Sequence, residues 1–198
     1  MPHVVDYFVF LNSPWAYFGS QRFTEMVRRH NVTVNVRPID SGTVFPASGG
    51  LPLAKRAPQR QAYRMTELKR WRDFLGLPLN LQPKFFPAPE SKPARMVIAA
   101  QMAGQDALAF AHGFMRAVWA EEADIAAAET QARIAAECGL DAAALDAASE
   151  TDAVKAAYAG NAEAALAAGV FGAPSYVLNG EVFWGQDRLE FLDRALAK

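Results

Sequence analysis

The sequence contains one cysteine, Cys138, in 198 residues, which excludes an intramolecular disulfide. It also lacks an excess of charge of either sign, because 20 Lys and Arg residues are balanced by 21 Asp and Glu residues, for a formal charge of −1. A protein that binds nucleic acid usually carries a strongly basic surface. We therefore expect no nucleic-acid partner.

Long apolar runs are absent as well. The apolar stretch VVDYFVFL, residues 4–11, is short and contains Asp6, so the sequence predicts no membrane-spanning helix and no membrane partner. The N-terminus has neither the basic region nor the small-residue cleavage site of a secretory signal, and we expect a cytoplasmic protein. The three histidines lack the spacing of metal ligands, which predicts no metal site.

The N-terminal quarter has the pattern of a β-α-β unit. Residues 4–11 are rich in β-branched and aromatic side chains and predict a buried strand. Ser13 and Pro14 then form a strong helix start, for a helix to about His30. Residues 32–38 alternate like a second strand. A unit of this length implies parallel strands joined by a right-handed crossover.

The middle of the chain is predicted to be helical after an initial loop. Residues 41–53 are rich in Gly, Pro and Ser and predict that loop. The alanine content and apolar spacing that follow favour helices. They are expected near residues 57–75, 92–103, 106–119, 125–138, 141–149 and 151–168.

The C-terminal residues return to strands. Residues 176–178 and 182–184 flank Asn179-Gly180, the strongest two-residue signal for a β-hairpin. A closing amphipathic helix is predicted over residues 186–197, with four apolar side chains facing inward: Leu189, Phe191, Leu192 and Leu196. The order of elements predicts an α/β fold of thioredoxin type, with residues 1–40 and 170–198 forming the thioredoxin-like domain and residues 41–169 forming a large, all-helical insertion.

The turn Ser13-Pro14-Trp15-Ala16 stands where thioredoxin-like oxidoreductases carry Cys-x-x-Cys. Ser13 replaces the attacking thiol, and Ala16 replaces the resolving one. Unpaired N–H groups and the helix dipole at this position favour an anion, so Ser13 could help to stabilise a bound thiolate. The alternative is that Ser13 only caps the helix, and the two roles are compatible.

Three segments together resemble the 2-hydroxychromene-2-carboxylate isomerases, DsbA-like proteins related to the kappa-class glutathione transferases. The segments are VFLNSPWAYFGSQRF, LKRWRDFLGLPLN and GVFGAPSYVLNGEVFWGQDRLEFL. The resemblance covers nearly the whole chain and implies DsbA-like architecture and a homodimer. It further implies a glutathione-dependent isomerase that interconverts 2-hydroxychromene-2-carboxylate and trans-o-hydroxybenzylidenepyruvate in the degradation of naphthalene-type aromatic compounds.

The resemblance also implies a glutathione site opposite Ser13. Pro174 is expected to be cis and to face the turn, which exposes the backbone of Ala173 for strand-like pairing with a peptide. The glutamyl carboxylate of glutathione would meet backbone N–H groups in the segment Trp184, Gly185, Gln186 and Asp187, and Asp187 would pair with its ammonium group. The alternatives are a trans proline that marks a strand start and an Asp187 that caps the helix and pairs with Arg188.

A small aromatic carboxylate would need a cation and an apolar wall. Lys55 and Arg56 are the candidates to hold the carboxylate, and Lys84, Phe85 and Phe86 are the candidates to line the pocket. A solvated basic helix face and ordinary core packing are the competing interpretations. Cys138 is expected to be a packing residue.

Two other functions are compatible with these residues. One is a kappa-like glutathione transferase or peroxidase, in which the same thiolate meets a different electrophile. The other is a redox-inactive, DsbA-like module that binds a peptide or partner beside Pro174.

Overall fold

The computed structural model describes residues 3–198. Its sheet has four strands in the order β2-β1-β3-β4. β1 is parallel to β2 and antiparallel to β3, and β3 and β4 form an antiparallel hairpin. The strands are β1 (Val4–Val9), β2 (Thr33–Pro38), β3 (Ser175–Leu178) and β4 (Glu181–Trp184). The predicted β-α-β unit and C-terminal hairpin are confirmed.

Helices connect and cover this sheet. They are α1 (Pro14–His30), α2 (Ser41–Ser48), α3 (Pro58–Leu75), α4 (Ser91–Met102), α5 (Ala107–Trp119), α6 (Ala128–Glu137), α7 (Ala142–Ser149), α8 (Asp152–Ala167) and α9 (Leu189–Leu196). Short 3-10 turns occupy Leu53–Lys55 and Gln186–Arg188. The α/β thioredoxin-like fold with a helical insertion is confirmed. None of the helices in the described part of the chain is long and apolar enough to span a bilayer.

β1 is buried on both of its faces, which explains its nearly continuous apolar sequence. Val5, Tyr7 and Val9 join a large core that also contains side chains of α1, α4, α5 and α9. Phe8 belongs to a second core on the opposite face, which is covered by α2 and α8. The strand therefore places residues 10–13 at the end of a rigid support.

The loop predicted over residues 41–53 was wrong in part, because α2 lies there. Asp40 caps this helix by accepting the Gly42 N–H at 3.0 Å, and the fully buried Val44 anchors it in the second core. A composition rich in Gly, Pro and Ser concealed a helix that depends on this tertiary contact.

The prediction for the C-terminal helix also needs correction. Phe191 was predicted to face inward, but it is 56% exposed. A 3-10 turn occupies residues 186–188, and α9 begins only at Leu189, so Leu189, Leu192 and Leu196 form its buried face.

The helix predicted over residues 125–138 is shorter, because Asp124 forms a turn with Ala126 and Ala127 before α6 begins.

Candidate functional site

Ser13 is the N-cap of α1, with extended backbone angles and Pro14 at the first helical position. Its Oγ accepts the Ala16 N–H at 3.2 Å. The single hydroxyl proton points to the carbonyl oxygen of Ala173 over a long 3.4 Å. The capping role predicted from the sequence is therefore confirmed, and the long second contact leaves a hydroxyl that can turn to a better acceptor.

The bond between Ala173 and Pro174 is cis, as the sequence predicts. The Pro174 carbonyl accepts the Gly185 N–H at 2.9 Å, while the Ala173 carbonyl faces Ser13. The Ser13 turn, the cis-proline loop and the end of β4 therefore meet at one place.

The residues after β4 divide into structural and accessible groups. Gln186 is buried, and its side-chain and backbone oxygens accept Nη2 of Arg22 at 2.9 and 2.5 Å. The Asp187 carboxylate is 44% exposed and pairs with the adjacent Arg188 at 2.7 Å. Gly185 has φ +103°, and a Cβ there would overlap the Asp187 carboxylate. Only the backbone N–H of Gln186 is thus free to meet a ligand, whereas the Asp187 carboxylate can exchange its weak, exposed contact with Arg188 for another partner.

Trp184 packs on Phe171 beside the cis-proline loop, with ring centroids 4.6 Å apart. A Cβ at Gly172 would come within 2.8 Å of the Trp184 indole nitrogen, so this glycine lets the indole lie against the loop. Both aromatic rings are about half-exposed. They form an apolar edge next to Ala173.

Several backbone donors around Ser13 have no acceptor within residues 3–198. They are the N–H groups of Trp15, Ala173, Gln186 and Asp187. Ala173 and Gln186 are buried residues, and buried N–H groups are almost always paired. Unpaired donors from three segments of the chain therefore suit a peptide-like ligand that carries carbonyl and carboxylate oxygens.

Asn12 connects the Ser13 turn to the segment that precedes α4, a role that sequence reasoning missed. Its Nδ2 donates to the Ala88 carbonyl at 2.6 Å, and its Oδ1 accepts the Ala88 N–H at 3.1 Å. Its backbone N–H donates to Oε2 of Glu90 at 2.8 Å, and its carbonyl accepts Nε1 of Trp119 at 3.2 Å. A polar residue at the end of a buried strand was the available signal for Asn12, while nothing in the pattern singled out Glu90.

Glu90 brings a titratable carboxyl next to this turn. Burial raises the pKa of Glu90 to about 7, against the opposing effect of the hydrogen bonds from Asn12, and the negative charge of Asp40 adds to the rise. The site therefore contains an acid that titrates near neutral pH.

The candidate residues for the substrate lie on the segments around α3 and before α4. Lys55 is exposed, while Nε of Arg56 donates to the Leu51 carbonyl at 2.8 Å and its guanidinium lies 6.0 Å from the Phe45 ring. Lys84 is exposed and its ammonium lies 5.0 Å from the ring of the half-buried Phe85. Their roles toward a substrate stay predictions.

Two surface clefts lie away from these residues. A cleft of about 440 Å³ between α1, α5 and the end of α6 is lined by His112, Arg116 and Cys138, and one of about 260 Å³ runs along α1 and β2. Burial raises the pKa of the half-buried Cys138 thiol, which suits a packing residue and not a reactive thiol. Within residues 3–198, no group of three or more His, Cys, Asp or Glu side chains is arranged to hold a metal ion.

A family model described as the DSBA-like thioredoxin domain matches residues 4–197. The chain belongs to this family. In this DSBA-like domain the turn at the start of α1 carries Ser13 and Ala16, so the protein has no thiol of its own there, and dithiol exchange requires one.

Curated relatives of this DSBA-like protein are isomerases. The 2-hydroxychromene-2-carboxylate isomerase of Pseudomonas putida is 28% identical over 98% of this chain and 95% of its own length. The isomerase of the same name from Sphingobium xenophagum is 29% identical over 99% of each chain. A solved structure of a 2-hydroxychromene-2-carboxylate isomerase matches with a TM-score of 0.78 and 28% identity, over 98% of this chain and 94% of that one. The resemblance predicted from the sequence is confirmed.

Proposed function

We propose that this protein is a glutathione-dependent isomerase that interconverts 2-hydroxychromene-2-carboxylate and trans-o-hydroxybenzylidenepyruvate. The observation that carries the proposal is the Ser13 hydroxyl at the N-terminus of α1, facing the cis-proline loop where family members with a Cys-x-x-Cys turn have a thiol. The similarity to isomerases across almost the whole chain supports the reaction type.

The unpaired donors fit glutathione as the thiol. The Ala173 N–H can pair with the peptide, and the N–H groups of Gln186 and Asp187 can receive the glutamyl carboxylate. The Asp187 carboxylate can leave its exposed contact with Arg188 for the glutamyl ammonium group. These three residues bind and orient the ligand so that its sulfur reaches Ser13.

When bound, glutathione supplies a sulfur that adds reversibly to the conjugated double bond of the substrate and permits ring opening and bond rotation. Ser13 contributes a hydrogen bond to that sulfur, and the free Trp15 N–H and the dipole of α1 favour its negative charge. Lowering a thiol pKa by about two units needs about 2.7 kcal/mol. One charge-assisted hydrogen bond of about 1.5–3 kcal/mol together with a helix terminus is of that size.

A second copy of this chain is the proposed partner. The 18-residue helix α3 buries only Leu68 fully, and it exposes Tyr63 by 59% and Phe74 by 78%. Aromatic side chains are enriched in protein–protein interfaces, so these two exposed rings agree with the homodimer implied by the resemblance.

Turnover in the presence and absence of thiol tests the proposed function. Conversion of 2-hydroxychromene-2-carboxylate should saturate with glutathione, persist in a Cys138→Ala variant, and fail with S-methylglutathione, which has no ionisable thiol. Full activity without added thiol would contradict the cofactor assignment. Glutathione binding without conversion of this substrate would favour a transferase or a binding module.

A further inference from the structure

Arg64 on α3 is an arginine without a strong partner. Its guanidinium lies 5.4 Å from the centroid of the Phe86 ring and 5.7 Å from that of Trp119. The one hydrogen bond that it donates goes to the sulfur of Met65, at 3.9 Å, and thioether sulfur is a weak acceptor. A guanidinium has five N–H donors, so most of its capacity remains unused.

In the described part of the chain, no negative charge near Arg64 balances the positive charge of its guanidinium. Residues 41–66 contain four cations and no Asp or Glu, and within residues 3–198 no carboxylate lies at ion-pair distance from Arg64. Burial, together with the positive charge of Arg56, lowers the pKa of Arg64 to about 10. The side chain is still protonated at neutral pH, so a cation is held here without its counterion.

Several other arginines have the carboxylate partner that Arg64 lacks. Arg37, Arg95 and Arg133 each contact a carboxylate at 2.6 to 2.8 Å. A partly buried cation normally needs such a partner, because desolvation disfavours its charge. The two aromatic rings offset part of this cost, and a ligand anion can supply the rest.

One buried side chain, that of Trp119, connects Arg64 to the Ser13 turn. Its guanidinium lies over Trp119, and Nε1 of the fully buried Trp119 donates to the carbonyl of Asn12, the residue before Ser13. Phe86 packs on Trp119 with ring centroids 4.9 Å apart. Direct contacts through Trp119 therefore connect the Arg64 guanidinium and the Phe86 ring to the Ser13 turn.

We infer that Arg64 binds the carboxylate of an aromatic acid, whose ring packs against Phe86. The inference rests on the proposed function for the identity of that acid, and it assigns to Arg64 the anchoring role that the sequence suggested for Lys55 and Arg56. The planar fork of a guanidinium matches a carboxylate with two parallel hydrogen bonds. Lys55 is exposed, and Nε of Arg56 is already used by the Leu51 carbonyl.

Both the aromatic substrate and glutathione carry carboxylates, so a test must show which of the two ligands provides the carboxylate that binds Arg64. The half-buried Phe86 ring beside the guanidinium favours the aromatic acid, because a second ring can pack on Phe86 while its carboxylate reaches Arg64. The test therefore measures glutathione binding separately from binding of the aromatic acid.

The test uses two unreactive probes, coumarin-3-carboxylate and the neutral coumarin-3-carboxamide, with calorimetry on the full chain. Arg64→Met should weaken binding of the carboxylate by about 10- to 100-fold, leave binding of the carboxamide and of glutathione within about twofold, and raise KM for the proposed substrate more than it lowers kcat. Arg64→Lys should recover part of the loss, because it keeps the charge without the fork. Lys69→Met, an exposed cation of the same helix, is the matched control and should change nothing.

An unchanged affinity for coumarin-3-carboxylate in folded Arg64→Met, or an equal loss for both probes, would overturn the inference. A loss of glutathione affinity alone would overturn it too, since the anion would then belong to the thiol. Probe binding needs no turnover, so these outcomes are independent of whether the protein is an isomerase. Thermal melting of Arg64→Met and Arg64→Lys verifies that both variants are folded.

Discussion

Oγ of Ser13 accepts the Ala16 N–H, and its proton has only a long contact with the Ala173 carbonyl. The cap fixes the position of the oxygen, while the weak second contact costs little to exchange. A donor held in this way needs only a rotation of its O–H bond to meet a developing negative charge. By capping α1, Ser13 thus holds its hydroxyl in the position that its proposed chemical role requires.

Glu90 gives the first prediction at the residue scale, on how stability depends on pH. A carboxyl whose pKa rises on folding, from near 4.5 to about 7, stabilises the fold fully below the unfolded value, and this contribution is lost as the pH rises through about 7. Glu90→Gln should therefore be more stable than the unsubstituted protein at pH 8, by up to about 3 kcal/mol, and similar to it at pH 4. Chemical denaturation at the two pH values measures this.

Glu150→Gln is the control for this prediction. Hydrogen bonds from Arg95 and Lys155 lower the pKa of Glu150, so that carboxylate favours folding above its unfolded pKa and its effect disappears as the pH falls. The Glu150 variant should gain no stability at pH 8. Equal stability of Glu90→Gln and the parent protein at pH 8 would show that the carboxyl is not held in its neutral form.

The contact between β1 and β3 carries the second prediction, at the scale of elements. Tyr7 on β1 stacks on Tyr176 on β3 with ring centroids 5.1 Å apart, and neither buried hydroxyl has a partner within residues 3–198. Removing an unpaired buried hydroxyl removes its desolvation cost. Tyr7→Phe should raise the free energy of unfolding by about 1 kcal/mol.

Tyr17 is the matched control, since its hydroxyl donates to the Pro78 carbonyl at 2.8 Å. Tyr17→Phe should lower the free energy of unfolding by about 1 kcal/mol because it leaves that carbonyl unpaired. Urea denaturation of both variants gives the comparison. A loss of stability in Tyr7→Phe as large as in Tyr17→Phe would mean that the Tyr7 hydroxyl has a partner after all.

Elements with local signals were predictable from the sequence. Ser13 and Pro14 start α1, and Asn179-Gly180 forms the hairpin turn, because these effects depend on neighbouring residues. Helix α2 was missed because it depends on Val44 meeting the second core. The exposure of Phe191 was missed because a 3-10 turn shifts the start of α9.

The candidate site also contains some features that local sequence signals predict and others that depend on the folded chain. The turn and the cis proline could be predicted from short motifs and from the resemblance. The contacts of Asn12 with Ala88 and Glu90 join residues more than 70 positions apart, and the unpaired state of Arg64 is a property of everything around it. Such features have no local pattern and require the folded chain.

The whole molecule is expected to be a homodimer, and α3 is the proposed interface. Light scattering should give twice the 21.6 kDa of one chain. Phe74→Ser should shift the equilibrium toward the monomer, because the Phe74 side chain is 78% exposed in one copy and a buried aromatic side chain contributes strongly to association.

Phe191→Ser is the control for the dimer, since Phe191 is also an exposed aromatic residue but lies on α9. It should leave the mass unchanged. A monomer at micromolar concentration, or an equal shift in both variants, would rule out α3 as the interface.

The central claim is that the fold stabilises a thiolate that the protein itself does not provide. The most direct measurement is a pH titration of the ultraviolet thiolate absorbance of bound glutathione, in a Cys138→Ala background where the ligand carries the only thiol. The account predicts a thiol pKa about two units below the usual value near 8.5, and a return upward by at least about one unit in Ser13→Ala, the share of one charge-assisted hydrogen bond. A bound thiol that titrates like a free one, or a titration that Ser13→Ala leaves unchanged, would contradict it.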